Sequence, residues 1–405
     1  MGFQQGLSGL NAASKSLDTV GNNIANSGTV GFKSSSTLFG DVFAATLGGG
    51  NQIGIGTSVA GISQQFTQGN LTVTSNPLDI AINGQGMFRL SNSGATTFTR
   101  NGQFNIDKDG YVVNASGYRL TGYLANAANI IVPSTPAEIF INTADLQPQA
   151  TGNSSVGARI GLNLDSRQPV NAVPFNVNDP TSYNSSTSIT VFDSLGNPHL
   201  MSMFFKKDSA NNWSLYSNLD GGGPSAATTL TFNSTGALTA PALGIIAQSH
   251  AVTTGATSPL IFNLNLTGST QYGNIFGVNS VAQDGYTSGR LSGLSIASDG
   301  TIQGRYSNGQ SRDLAQVVLA NFNNPNGLTS LGNNQWGETA ESGQPLVGVP
   351  GSGSLGVLQS AAIEESNTDL TAELVSMITQ QRAYQANAQT IKTQDQILQT
   401  LVNLR

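Results

Sequence analysis

The 405-residue chain contains no cysteine and only two histidines, His199 and His250. Without cysteine there is no disulfide framework, thiolate metal site, cysteine nucleophile or thiol-derived cross-link between chains. Two histidines leave little imidazole for acid–base catalysis or metal ligation. Charge is equally scarce, since Lys and Arg number 16 and Asp and Glu 22, together 9% of the chain with a net charge of −6. An ordinary soluble protein carries about 25%. No basic cluster occurs, so no nucleic-acid partner is expected. No run approaches the roughly 20 apolar residues needed to cross a bilayer, so no membrane insertion is expected. The opening residues from Met1 to Gly6 lack a basic segment and an apolar stretch of signal-peptide type, and Gly6 stands where a myristoylation signal needs Ser or Thr. A protein of this kind working outside the cell needs an export route without a cleaved signal peptide.

What replaces charge is glycine, with 48 residues, together with abundant Asn, Ser, Thr and Gln. The surface is therefore expected to be neutral and polar. The length predicts two or three domains at roughly 100–200 residues each.

Helical periodicity is confined to the ends. Phe3, Leu7, Leu10, Ala13, Leu17, Val20 and Ile24 recur at steps of three or four, the spacing of one helical stripe. Leu370, Leu374, Met377, Gln381, Tyr384, Ala388, Ile391, Asp395, Leu398 and Val402 follow the alternating four-three rhythm of a coiled-coil seam, with N-cap residues in Asn367-Thr368-Asp369. A narrow apolar seam cannot be buried by its own helix. The two ends can pair with each other and with equivalent ends of neighbouring chains, or form an intramolecular pair packed on a β domain. The Gln- and Ala-rich flanks of the C-terminal seam favour burial among helices, and hence assembly.

The residues between read as strands. Leu78, Ile80 and Ile82 alternate with polar or small neighbours, as do Phe104 and Ile106 before Asp109-Gly110 and Tyr111 and Val113 after it, which predicts a hairpin with a type I′ turn. Asp299-Gly300 and Asn308-Gly309 punctuate a meander over 291–310. Further strands are expected at 188–192, 200–205, 213–216 and 260–266, separated by Asp193-Ser194-Leu195-Gly196-Asn197-Pro198 and Asp220-Gly221-Gly222-Gly223-Pro224. If the terminal helices meet, the chain travels out and back, so its domains are nested. The segment 34–69, with Gly48-Gly49-Gly50, reads as a connector that, like the two helices, gains order only with partners.

No constellation points to catalysis, a metal or a cofactor. Asn105-Ile106-Asp107-Lys108-Asp109-Gly110 imitates half of an EF-hand, but Ser116 stands where the bidentate Glu belongs and no helices flank it. Gly54-Ile55-Gly56 and Gly84-Gln85-Gly86 lack the third glycine of a dinucleotide loop. Glu364-Glu365 lies before a helix, where acidic residues suit the helix dipole.

Several segments resemble motifs of the bacterial flagellar rod and hook proteins. The stretch from Leu17 through Asn22, Asn23, Asn26, Gly31, Phe32 and Lys33 is similar to their N-terminal motif. Asn76-Pro77-Leu78-Asp79 through Phe88 is similar to a second, Thr99-Arg100-Asn101-Gly102 through Tyr118 to a third, and Ser366 through Ala388 to the C-terminal helix motif. The long middle region, the turn from Phe192 to His199 and the ending from Gln389 to Leu398 favour the hook branch, with a distal rod protein as the alternative. The resemblance implies a mainly β fold with long α-helical termini, in a nested multidomain arrangement. Coiled-coil-like N- and C-terminal helices with their connecting segment (1–70 and 359–405) would form an inner tube. An inner β domain (71–144 and 285–358) and an inserted outer β domain (145–284) would surround it. It also implies a non-enzymatic subunit of a curved hollow helical homopolymer, outside the cell, acting as a universal joint between rod and filament. The partners so implied are further copies of the chain, the distal rod protein, the hook cap protein, the hook–filament junction protein, the hook-length ruler and the type III export apparatus. Assembly would rest on Phe3, Leu7, Leu10, Leu17, Ile24, Leu370, Leu374, Met377, Tyr384, Ile391, Leu398 and Val402.

Overall fold

A computed structural model describes residues 2–42, 54–126, 128–152 and 157–403. The Gly48-Gly49-Gly50 run lies outside them. Two compact units emerge. The terminal unit comprises 1–143, 293–305 and 311–405, and the inserted unit comprises 144–292 and 306–310. The protein is mainly β with one long helix at each end.

Helix α1 spans Gly2–Ala25 and α2 spans Leu370–Asn403. Asp369 caps α2 by accepting the Thr371 and Ala372 amides at 2.9 and 3.1 Å, which satisfies donors that a helix start leaves open. Both helices are formed and paired in the single chain, so the expectation that they need neighbouring copies for order is corrected. The described residues of the supposed connector are also structured: β1 (Ser35–Val42) and β2 (Gly56–Gln64) pair antiparallel. They lie on α1 through polar contacts, Thr19 Oγ1 to Thr37 Oγ1 at 2.8 Å and Gln5 Nε2 donating to the Gly54 carbonyl at 2.7 Å.

Beyond β2, β3 (Leu71–Val73) pairs with strand Ala362–Glu364, and β4 (Ile80–Asn83) with Val357–Ser360. The two ends of the chain are thus stitched together by backbone bonds. The larger sheet of this unit runs Ser311–Val317, Arg119–Leu124, Met87–Asn92, Ala95–Thr99 and Gln335–Gly337. Met87, Phe98, Ala320, Phe322, Leu328 and Trp336 form a buried cluster that Phe66 joins edge-on to Trp336.

The inserted unit has a five-stranded sheet of mostly consecutive hairpins from Ser185–Phe192 to Leu238–Ala240, and a four-stranded sheet in which Ala158–Asn163 runs parallel to Leu260–Asn265. Inward residues of both sheets, among them Ile160, Leu162, Val191, Met203, Phe205, Trp213 and Leu264, make one core. Strands appear at each of the four sites expected from alternation.

The turns differ from expectation in a uniform way. At Asp109-Gly110 the hairpin forms, but only Gly110 has positive φ (+90°), whereas a type I′ turn needs two such residues. The actual turn is Asp107–Gly110, with the Gly110 amide bonded to the Asp107 carbonyl and the Asp107 amide to the Tyr111 carbonyl. The Asp107 carboxylate accepts the amides of Asp109 and Tyr111 at 2.9 and 2.8 Å. Its inner oxygen is thereby taken up in shaping the turn. The same side-chain pattern, amides two and four residues on, recurs at Asn114, Asn126, Asp193 and Asn233. The recurring signal is an Asp or Asn three residues before a Gly, or before Asn129 in one case.

Candidate functional site

The helices are antiparallel. Gly6 faces Ile391, Gly9 faces Asn387, and Asn23 Nδ2 donates to Glu373 Oε1 at 2.8 Å, so the numbering of one rises as the other falls. Their approach is close: a Cβ on Gly6 would stand 3.0 Å from Ile391 Cγ1, and one on Gly9 2.7 Å from the Asn387 amide. Gly6, Ala13, Ser16, Val20 and Asn23 are buried along α1, a face of small and polar residues. The side of α2 turned inward, through Met377, Ala383, Asn387 and Ile391, is half-buried.

The residues expected to hold an assembly together therefore divide. Met377 and Ile391 are half-buried on the inward side, and Leu10, Leu17 and Ile24 are half-buried on α1. Phe3 (48% exposed), Leu7 (44%), Leu370 (46%), Leu374 (45%), Tyr384 (38%) and Leu398 (55%) remain open to solvent. Val375, Ile378 and Ile397 join them, though no seam position predicted these. Val402 lies in α2, but its side chain is outside the described residues. Leu38, Phe39, Val59 and Ile62 of β1 and β2 add further exposed apolar groups.

Where helices meet sheet, a charge junction is buried. Lys33 Nζ lies 2.6 Å from Glu364 Oε1, and Arg100 Nη1 lies 3.3 Å from Glu364 Oε2. The Lys33 and Glu364 side chains have no exposed surface. Lys33 also donates to the Thr67 carbonyl, Arg100 Nη2 donates to that of Gly84, and Glu364 Oε1 accepts the Gly69 amide. Burial lowers the Lys33 ammonium below its ordinary value despite the pull of Glu364, and it lowers Arg100 in the same way. Glu364 thus joins the segment after α1, the sheet and the strand before α2. Its assignment to the α2 dipole is corrected: Glu373 occupies the first turn, and Glu365 accepts from Thr72 Oγ1 at 2.6 Å.

The motif residues around this junction fasten backbone. Asn23 Nδ2 donates to the Ser35 carbonyl while its Oδ1 accepts the Ser35 amide. Asn26 Nδ2 donates to the Asn22 carbonyl, and Asn367 Oδ1 accepts the Ser34 amide at 2.7 Å. The Phe32 carbonyl accepts the Asn367 amide at 3.4 Å. Asn76 holds the next turn, donating to Asp79 and accepting the Leu78 amide, and Pro77 offers its carbonyl to Ser360 Oγ. Gly31 has φ +70°, and a Cβ there would stand 2.6 Å from the Asn101 nitrogen. We expect Gly31→Ala to destabilise the terminal unit by about 1–3 kcal/mol, from the left-handed backbone and the clash together. Urea unfolding followed through Trp336 checks this, and a change within about 0.5 kcal/mol would count against it.

No group of three or more His, Asp or Glu suited to a metal occurs among the described residues, and none of their helices is long and apolar enough to cross a membrane. Sequence spacing gave no partner for His199, yet folding places it between two carboxylates, Asp193 and Asp220.

Comparison with known proteins accounts for these features. Residues 3–33 match the family described as Flagella basal body rod protein, and 359–404 the Flagellar basal body rod FlgEFG protein C-terminal. Residues 81–151 match the Flagellar hook protein FlgE/F/G D1 domain and 163–286 the Flagellar basal body protein FlaE D2 domain. The flagellar hook proteins FlgE of Escherichia coli K12 and Salmonella typhimurium LT2 are each 45% identical to this chain, with both chains covered completely. That of Borreliella burgdorferi is 32% identical over 99% of this chain and 98% of its own. The crystal structure of Helicobacter pylori flagellar hook protein FlgE2 shares the fold, with a TM-score of 0.51 at 15% identity, over 73% of this chain and 99% of that one. By identity along its whole length, the chain belongs to the flagellar hook protein family.

Proposed function

We propose that the chain is the structural subunit of the flagellar hook, polymerising into a curved hollow tube that carries torque from rod to filament. The observation that carries this reading is the row of open apolar residues on a helix pair whose inward side is already occupied. A soluble protein seldom leaves such a surface bare unless a partner covers it. Phe3, Leu7, Leu370, Leu374, Tyr384 and Leu398 meet equivalent helices of neighbouring copies, while Leu10, Leu17, Ile24, Met377 and Ile391 hold the helix pair together. In this arrangement 1–70 and 359–405 make the inner tube, 71–144 with 285–358 the middle layer, and 145–284 the outer layer.

A bending joint requires each row of subunits to lengthen and shorten as it turns, so outer contacts must slide. With 9% charged residues, the surface offers few ion pairs to fix one register, and neutral polar groups allow several arrangements of similar energy. The subunit works without catalysis. Its further partners are the distal rod protein, the hook cap, the hook–filament junction protein, the length ruler and the type III export apparatus, through which it leaves the cell. Electron microscopy of basal bodies from a strain with this gene disrupted tests the reading. A complete rod lacking a hook is the expected result. A truncated rod would make the protein a rod component, and intact hooks would overturn the proposal.

A further inference from the structure

The inserted unit contains a charge cluster outside the residues proposed for assembly. His199 is the second residue of the strand Pro198–Ser209 and is almost fully buried. Its Nδ1 lies 2.6 Å from Asp220 Oδ2 and its Nε2 3.2 Å from Asp193 Oδ2. Asp193 and Asp220 are the titratable groups facing the ring, the first from the turn before its strand and the second from the end of the next strand. A third element reaches the same oxygen: Thr254 Oγ1 donates to Asp193 Oδ2 at 2.6 Å, and Asn197 Nδ2 does so at 2.9 Å. The Leu200 amide occupies Asp220 Oδ1 at 2.7 Å.

An ionised carboxylate accepts hydrogen bonds and cannot donate them, so two such partners require both ring nitrogens to carry protons. Burial works to lower the proton affinity of His199, but the two carboxylates outweigh it and the net shift is upward. Burial works against ionisation of Asp193, yet its bonds to Thr254, Asn197 and His199 hold it far below the ordinary carboxylate range. Asp220 is lowered for the same kind of reason. His250 behaves in the opposite way: burial lowers it, and its Nε2 lies 3.1 Å from Gln248 Oε1 with no carboxylate among its bonds.

The cluster joins two loops. The segment 251–259 is held to the turn 193–198 by Thr254 on Asp193 and by the Thr257 amide on Ser194 Oγ at 2.9 Å. We propose that His199 is a proton-operated clamp: as an imidazolium it ties the 193–198 turn, and through Asp193 the 251–259 loop, to Asp220, and on losing its proton it frees that loop. When a ring proton passes to solvent, one nitrogen turns a lone pair toward a carboxylate oxygen. Attraction becomes repulsion, and it is relieved least against Asp193, whose side chain is buried, whereas Asp220 is half exposed. The folded ring binds its proton more tightly than the unfolded one, so its contribution is complete below about pH 6.5 and declines as pH rises through the folded value. The carboxylates act in the reverse sense, and their contribution is lost as pH falls below about 4 toward their depressed folded values.

With two histidines in the chain, selective carbon-13 labelling of the ring gives two signals from the full-length protein. The expected result is one signal titrating above about pH 6.5, absent in His199→Gln and moved downward in Asp220→Asn. Amide exchange in 252–258, corrected for its intrinsic pH dependence, should rise about tenfold or more between pH 6 and 9 in the native protein. In His199→Gln it should be fast throughout. Both signals titrating at or below the ordinary value, or loop protection that is flat across this range in the native protein, overturns the clamp. The native protein decides the question even if a variant fails to fold.

Discussion

Replacing Glu364 with alanine should lower the unfolding free energy of the terminal unit by about 3–5 kcal/mol, because Lys33 and Arg100 would be left buried without their anion. The inserted unit should be unaffected. Each unit holds one of the two tryptophans, Trp336 in the terminal and Trp213 in the inserted unit, so single-tryptophan variants report them separately in urea. The companion experiment replaces all three charges by methionine. If the penalty is the uncompensated charge, Lys33→Met, Arg100→Met and Glu364→Met together recover much of what Glu364→Ala loses. A Glu364→Ala protein that unfolds at the native urea concentration would show that the junction contributes nothing to stability.

The second large effect concerns assembly. Leu374 and Leu398 are about half exposed on α2, so aspartate at both positions should leave the chain folded with paired helices. Each leucine buried between copies is worth about 1.5–3 kcal/mol, and burying a carboxylate in its place costs more. The double variant should therefore fail to polymerise at concentrations more than about 100-fold above those that suffice for the native chain. Sedimentation of polymers, with circular dichroism as the control for folding, reads the result. Normal polymers would remove these residues from the interface. Ile391→Asp is a different experiment, because Ile391 packs against Gly6 within the chain and its loss should separate α1 from α2.

That distinction marks where the sequence stopped being legible. Periodicity located both helices, because a stripe of Leu and Ile at steps of three and four has one geometric meaning. It could not say which stripe faces a neighbour in the same chain. The buried face of α1 takes Ala13 and Val20 from that stripe but adds Gly6, Ser16 and Asn23, which have no hydrophobic signature. The β1–β2 pair escaped for a similar reason, since it lies on α1 through Thr37, Ser35 and Gly54, and its Leu38 and Phe39 point to solvent. The Lys33–Glu364 pair spans 331 residues, a separation that no local pattern reveals. In a chain this poor in charge, a lysine between Phe32 and Ser34 was nevertheless a hint. The Asp-Gly and Asn-Gly pairs were found as turns but placed one step late, because each glycine ends its turn, its amide bonded to the carbonyl three residues before, of Asp107, Ala297 and Tyr306.

The same separation sets an order of events in folding. Contacts between sequence neighbours close cheaply and early, whereas a loop of several hundred residues forms late. The five-stranded sheet of the inserted unit grows from adjacent hairpins, each with its own turn. The terminal unit has to wait for 357–364, which complete β4 and β3. The last strand to arrive carries the anion that Lys33 and Arg100 require. A chain truncated before residue 364 would keep a sound inserted unit and two stranded cations, so this junction separates finished subunits from unfinished ones before any neighbour is met.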